Sequence, residues 1–333
     1  MFEGFDFPAL FSGFKNQRIL IIGDVMIDTY LWGKINRVSP EAPVPIVSGI
    51  MEESRLGGAA NVALNIKALG AVPILCSVIG GDARGSQFLE LLEEQNLSDV
   101  GITVDDYRVT TQKTRVISGF KHLLRVDEEI DNLLSPQVEE KFIEIVLNLM
   151  ETGNIDSIIL QDYDKGVITP SILKRISRLA SRRSIPLLVD PKFRNFNRYK
   201  GVSMFKPNLR ELSKGVRLEG RNPGISEIVK KAEAFRKKQD IAILMVTLSS
   251  RGILVLEPSG HTYVPAVKRD VTDVSGAGDT VISVAAVCYS SKLSPARIAA
   301  VANLAGGQVC EKSGVVPVDR DQLLNECIEF LAK

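Results

Sequence analysis

Short apolar runs alternate with amphipathic helical stretches along most of this chain, and no other feature limits its fold as strongly. Arg18 to Gly23 (RILIIG) reads as a buried strand, as do Val72 to Val78, Ser157 to Leu160, Pro186 to Val189, Ile241 to Val246 and Ile253 to Leu256. Between them, Ala59 to Leu69, Ser86 to Gln95, Pro136 to Met150, Pro170 to Arg183 and Ser226 to Lys238 read as helices. That order implies an α/β class: a mainly parallel central sheet covered by helices on both faces. Three helical segments follow the last strands, Ala277 to Ser291, Pro295 to Glu311 and Asp319 to Ala332. The expected organisation is a leader over 1–17 and a single domain over 18–333.

Two segments break the rhythm. Thr29 to Ser48 holds Trp32 and several prolines, with Val44 to Val47 as a strand. Thr111 to Val126 alternates about a turn near Gly119 and reads as a hairpin. Together they are expected to form a small antiparallel β flap, over about 29–50 and 111–127. Ligands in open α/β sheets bind at the carboxyl ends of the strands, so a flap there could close over a substrate and exclude water.

Composition excludes several classes. Of 333 residues, 45% are hydrophobic and 24% charged, and the formal net charge is +1. Such a chain has ample core and no pull toward nucleic acid or a membrane surface. No apolar run approaches the ~20 residues that span a bilayer. Met1 to Gln17 carries Glu3 and Asp6 and lacks the pattern of a signal peptide, which points to a cytoplasmic location. Cys76, Cys288, Cys310 and Cys327 lie far apart and only two histidines are present, which argues against zinc and for buried, reduced thiols. Phe2, Phe5, Phe7, Phe11 and Phe14 crowd the leader. They suit a helix docked on the body or a subunit contact.

Three motifs carry chemistry. The first is Asp273-Val274-Ser275-Gly276-Ala277-Gly278-Asp279-Thr280. Gly276 and Gly278 permit a tight turn and close approach of a ligand. The helix that follows presents unpaired N–H groups and the positive end of its dipole, an anion hole for a transferring phosphoryl group. Asp279, in the first turn, is placed to accept a proton from an attacking hydroxyl. The plain alternative is a helix cap with a glycine turn. A dinucleotide fingerprint is disfavoured by the missing third glycine and the late position, and a P-loop is excluded by the absence of its lysine pattern.

The second is Gly57-Gly58-Ala59-Ala60-Asn61 before an amphipathic helix, where Asn61 could grip sugar hydroxyls. Read alone, it is equally a close helix–strand packing turn. The third is Lys206-Pro207-Asn208-Leu209-Arg210-Glu211. Asn208 and Glu211 share a face and could orient waters about Mg²⁺, or could form a capping box.

These motifs, in this order, resemble the ribokinase (PfkB) family of sugar kinases, from about Arg18 to the C-terminus. The resemblance implies ATP and Mg²⁺ as cofactors, sugar binding at Gly57, Gly58 and Asn61, and support of the phosphates by Asn208 and Glu211. It implies a nucleotide side at Thr247, Ser249 and Gly252 in Thr247-Leu248-Ser249-Ser250-Arg251-Gly252, with Asn303 at the adenine. It also implies a monovalent cation, such as K⁺, near Asp273 and Ser275.

A narrower likeness follows. Gly23 to Tyr30 (GDVMIDTY) and Asn36 to Pro45 (NRVSPEAPVP) resemble the kinase module of bacterial enzymes that make ADP-heptose for lipopolysaccharide. Asp162-Tyr163-Asp164-Lys165-Gly166 and Asp190-Pro191-Lys192 extend it. This implies D-glycero-D-manno-heptose 7-phosphate as substrate, phosphorylated at O1. A phosphorylated sugar needs cations, for which Arg37, Lys113, Arg115, Arg125, Lys165 and Lys192 are the candidates. Asp28, Asp24, Asn36 and Asp162 join them as sugar-binding residues. The chain ends at Lys333, leaving no room for a nucleotidyltransferase, so the later adenylylation is expected of another protein. A homodimer through the flap is expected, because exposed strand edges need covering. Open alternatives are a kinase of another sugar, a non-catalytic sugar or nucleotide sensor, and a hydride-transfer enzyme.

Overall fold

A computed structural model describes residues 2–332 except 120, 219, 221 and 222. A short helix, α1 (Phe7–Gly13), leads into β1 (Arg18–Gly23). The chain runs out along β2 (Val25–Val38) and back along β3 (Pro45–Gly58). It continues through α2 (Ala59–Ala68), β4 (Val72–Gly80), α3 (Ala83–Glu94) and β5 (Gly101–Asp105), then the hairpin β6 (Gln112–Ser118) and β7 (Lys121–Glu128). Next come α4 (Pro136–Thr152), β8 (Ser157–Gln161), α5 (Pro170–Arg182), β9 (Leu187–Asp190), β10 (Met204–Phe205), α6 (Leu209–Val216) and α7 (Ile225–Lys238). The last elements are β11 (Ile243–Thr247), β12 (Ile253–Glu257), β13 (Gly260–Val264), α8 (Ala277–Ser290), α9 (Pro295–Cys310) and α10 (Arg320–Leu331).

The main sheet has the order β13-β12-β11-β10-β9-β8-β1-β4-β5, parallel except at β12 and β13. Successive side chains of a strand point to opposite faces. Ile19 and Ile21 of β1 therefore enter one core, with α2, α8 and α9, while Leu20 and Ile22 enter the other, with α4, α5 and α7. Helix starts follow capping chemistry. Ser135 and Thr169 each accept from the backbone N–H three residues on, and each precedes a proline at N1. Phe2, Phe7, Phe11 and Phe14 are buried in the first core, so the leader docks on the body. No helix among the described residues is long and apolar enough to cross a membrane.

The flap is a second sheet, of order β3-β2-β6-β7, and it is larger than the sequence suggests. β2 begins at Val25 and β3 ends at Gly58, and the body ends of both strands, Val25 to Tyr30 and Leu56 to Gly58, are buried. β2 and β3 pair antiparallel, as do β6 and β7 about the turn at Gly119, but the two hairpins join through a parallel pairing of β2 with β6. β5 and β13 are strands that the apolar runs do not announce. β13 reads Gly-His-Thr-Tyr-Val and lies at an exposed edge.

Candidate active site

From β1 the chain proceeds to β4 and β5 on one side, and β8 and its successors lie on the other. The order therefore reverses between β1 and β8, where open α/β sheets form their crevice. β1 and β8 approach so closely that a Cβ on Gly23 would stand 1.9 Å from the Gln161 carbonyl oxygen. Gln161, Asp190, Lys206 and Thr247 mark the carboxyl ends of β8, β9, β10 and β11 in a row.

Asp279 lies in the first turn of α8 and is 4% exposed. Its Oδ2 accepts from Asn61 Nδ2 at 2.8 Å. Its Oδ1 accepts from Tyr163 OH at 2.6 Å and Gln161 Nε2 at 3.0 Å. Burial pushes the acid up to about 6, against the opposing effect of the Tyr163 and Asn61 hydrogen bonds; Asp190 raises it further and Lys206 lowers it. A carboxyl group poised there suits proton transfer near neutral pH. The Asn61 amide nitrogen, a sugar-gripping candidate in the sequence, is instead bonded to Asp279, and Asn61 is fully buried.

Gly276 caps α8 in the left-handed region, at φ +79°, and a Cβ there would meet Asn61 Nδ2 at 2.9 Å. At Gly278 a Cβ would lie 3.6 Å from Lys206 Nζ. The ammonium group thus stands beneath the Gly276–Ala277–Gly278 turn, whose N–H groups open the helix. Lys206 pairs with Asp190 at 3.0 Å, and both are buried. Neither had a role from sequence; their place after parallel strands is the signal that could have found them.

Asn208 and Glu211 form the capping box of α6: Glu211 N donates to Asn208 Oδ1 at 2.8 Å and Asn208 N to Glu211 Oε2 at 2.9 Å. Glu211 Oε1 also takes Lys192 Nζ at 2.5 Å. Lys192 lies 5.1 Å from the centre of the Tyr163 ring, so this box reaches toward the Asp279 cluster.

Thr247 bridges to Asn208, with Thr247 N donating to Pro207 O. Ser249 (φ +56°) and Gly252 (φ +102°) shape the turn between β11 and β12. A Cβ on Gly252 would stand 2.1 Å from the Val264 carbonyl oxygen, and Asn303 Nδ2 on α9 donates to Pro265 O at 2.8 Å. Gly252 and Asn303 therefore meet at one stretch, 264–266, while Thr247 faces Asn208. Asp273 Oδ1 accepts from Ser275 N and Oδ2 from Gly314 N, both at 3.0 Å. Burial raises this acid, but those bonds outweigh it and hold it below its ordinary value.

Register places Arg55, Asp28, Lys113 and Asp127 in one row across the flap, and Glu53, Tyr30, Arg115 and Arg125 in the next row on the same face. Arg115 Nη1 pairs with Asp28 Oδ1 at 2.5 Å. Gly57 is required here, since a Cβ would meet Asp28 Oδ2 at 2.1 Å. Arg115 and Arg55 lie over the Tyr30 ring, and Arg55 Nη1 donates to the Ser313 and Val315 carbonyls. Arg55 and Tyr30 were not singled out in the sequence. Gly58, at φ +60°, turns the end of β3 into α2.

Other candidates sit elsewhere. Asp24 accepts three backbone N–H bonds, from Tyr163, Lys165 and Val167, so it organises the 162–167 loop. Asp162 accepts from Tyr199 OH, Asn195 Nδ2 and Asp164 N, and burial and the nearby Asp24 push it up to about 6. Both carboxylates have their hydrogen-bonding capacity turned toward the protein. Lys165 pairs with Glu129 at 2.6 Å, as does Lys113 at 2.8 Å, and Arg125 grips Asp127. Asn36 and Arg37 are exposed near the flap tip. At ~3.3 Å per strand residue they lie about 26–30 Å along β2 from Asp28.

Comparison with known proteins agrees with this geometry. The description "pfkB family carbohydrate kinase" matches residues 16–321. The chain belongs to that family. This carbohydrate kinase is similar to the bifunctional protein HldE of Geotalea uraniireducens, 36% identical over 322 residues, 96% of this chain and 65% of that protein. It is similar also to the bifunctional protein HldE of Helicobacter acinonychis, 39% identical over 267 residues, 80% and 57% of the two. The kinase chain thus spans less than two thirds of the length of these relatives. In fold it resembles phosphofructokinase-2 from Escherichia coli in complex with substrates and products, with a TM-score of 0.77 and 18% identity over 95% of this chain and 100% of that one. Ribokinase from Arabidopsis thaliana, complexed with ribose and ATP, matches at a TM-score of 0.71 and 17% identity over 92% and 98%. The α/β class expected from the alternation of strands and helices, in the ribokinase-like form that the motif resemblance implied, is the fold of this carbohydrate kinase.

Proposed function

We propose that this kinase transfers the γ-phosphoryl group of ATP to O1 of D-glycero-β-D-manno-heptose 7-phosphate. The observation that carries the reading is the flap face on which Arg55 and Lys113 flank Asp28 and Arg115 pairs with it, with Arg125 in the next row. Each of these cations is paired with a carboxylate, Glu53, Asp28, Asp127 or Glu129, and a phosphate on the substrate would compete with those carboxylates for them. The GDVMIDTY and NRVSPEAPVP strings, and relatives named HldE, support heptose as the sugar.

In the reaction Asp279 accepts the proton as the O1–H bond breaks, O1 bonds to the γ-phosphorus, and the bond to the β,γ-bridging oxygen breaks to release ADP. The Gly276 and Gly278 N–H groups, with the Ala277 N–H now donating to Val274 O at 3.3 Å, would stabilise the charge that develops, and Lys206 adds positive charge beneath them. The Glu211 carboxylate suits a magnesium ion carried on the nucleotide, because Mg²⁺ needs only one or two carboxylates besides phosphate and water, and each Glu211 oxygen keeps a second lone pair. Asn208 and Glu211 would hold it, and it supplies neutralisation of the phosphate charge when bound. Asp273 and the Ser275 carbonyl are the place for a monovalent cation such as K⁺. The flap exposes Leu124 and Val126 on the face opposite the charged rows, which suits a homodimer through the flap.

A coupled ADP-release assay tests the reading, with heptose 7-phosphate against ribose, fructose 6-phosphate and adenosine. A marked preference for heptose 7-phosphate is expected. Comparable rates on all four would defeat the heptose assignment.

A further inference from the structure

We infer that Tyr163 and Gln161 are positioning residues that occupy one oxygen of Asp279 and leave the other, Oδ2, as the atom that takes the substrate proton. The inference rests on Asp279 being the general base. A carboxylate oxygen offers two in-plane lone pairs. On Oδ1 both are taken, by Tyr163 OH at 2.6 Å and Gln161 Nε2 at 3.0 Å. Oδ2 holds only Asn61 Nδ2 at 2.8 Å, so one lone pair remains. The proton passes from the sugar hydroxyl to that lone pair as the oxygen–phosphorus bond forms and ADP leaves with the electrons of the broken bond. Oδ2 then releases the proton to water once product departs.

The Gln161 amide has one workable orientation. Its Nε2 also donates to Asp190 Oδ2 at 3.2 Å, and its buried Oε1 has no partner among the described residues. Turned over, Oε1 would face two carboxylates. Tyr163 is held in turn. Its backbone N–H donates to Asp24 Oδ2 at 2.7 Å, and Lys192 lies over its ring. Tyr163 and Gln161 stand two residues apart where β8 ends, so one strand terminus delivers both donors to the same oxygen.

The other groups that bear on this cluster remain in place when either donor is removed. They are Asp190 and Lys192 after β9, Lys206 after β10, and Asp28 from the flap, which acts on Tyr163. Loss of a donor to the ionised carboxylate favours the protonated acid. The acid limb of the pH profile therefore moves to higher pH.

The test measures kcat and KM across pH for Tyr163→Phe and Gln161→Met, with thermal stability, beside Asp279→Asn. A kcat loss on the order of ten- to a hundredfold is expected for each donor, the cost of one hydrogen bond to a charged group. The sugar KM should hold, and the acid limb of kcat/KM should rise in pH. A Tyr163→Phe enzyme whose acid limb stays at the wild-type pH overturns the inference, whatever its kcat, as does a loss confined to KM. If Tyr163→Phe does not fold, Gln161→Met carries the same expectation and the same refutation. Near-normal turnover by Asp279→Asn would instead remove the general base itself. An inactive Asp279→Asn beside an unshifted Tyr163→Phe defeats the positioning role alone.

Discussion

Asn61 Nδ2 lies 2.8 Å from Asp279 Oδ2, although the two residues are 218 positions apart in the chain. The early Gly-Gly-x-x-Asn motif and the late Gly-Ala-Gly-Asp motif are thus halves of one constellation. A Cβ on Gly276 would crowd that same amide nitrogen at 2.9 Å. Gly276→Ala is therefore expected to disturb the pair and to strain a left-handed backbone, costing about 1–2 kcal/mol. Gly278→Ala meets only ordinary contacts and should fold normally. Urea unfolding and kcat of the two variants compare them; equal stabilities would contradict the geometry.

Asp279 is expected to be a stability cost at working pH. Its folded value of about 6 lies above its ordinary 3.8. A group raised in the folded state lends its full stability below the unfolded value and loses it as pH rises through the folded one. At pH 8 the buried charge costs about 3 kcal/mol. Asp279→Asn should melt above wild type at pH 8, with the gap closing toward pH 4, while turnover falls ~10²–10⁴-fold. A gap independent of pH would show that the carboxyl group is not raised.

The Arg115–Asp28 pair is expected to bear on sugar binding and not on nucleotide binding. Both residues are buried, at 2.5 Å, beside the Tyr30 ring. Arg115→Met strands the Asp28 charge, for which a loss of about 3–5 kcal/mol is usual. The sugar KM should rise with the ATP KM unmoved. Equal changes in both would place Arg115 outside the sugar site.

Leu124 and Val126 are exposed on the flap face opposite the charged rows, in register with Val116 and Thr114 and, through them, with Leu31 and Thr29. If the proposed flap dimer forms, the wild type should sediment as a dimer and a Leu124→Glu, Val126→Glu double variant as a monomer. A wild-type monomer would refute the flap interface.

Much of the body was legible because β1, β8, β9 and β11 are apolar runs that serve two cores at once. The flap strands were read short. β2 reaches the body through Val25 to Tyr30, whose buried face carries Asp28, and periodicity gives no break there. Asp279 and its glycine turn could be found from local chemistry alone. Its companions could not, since Asn61, Gln161 and Tyr163 come from α2, β8 and the loop after β8, and only the strand order brings them to one carboxylate. Asn208 and Glu211 show the opposite case. Their capping box is local and legible, and it leaves the metal-supporting role to be tested.

The flap enters the body through several chain passages rather than one. Ala59 N donates to Asp24 O, and Ile27 N to Thr111 O, so the roots of β2, β3 and β6 are stitched side by side. Because β2 and β6 run parallel, the segment from α2 to β5 separates these roots in sequence while the ladder holds them together in space. Such a joint behaves as a piano hinge rather than a swivel: it permits rocking about a line and resists twist. Asp28 and Arg115 straddle two of the joined strands next to that line, so the pair would travel as a unit in any such rocking.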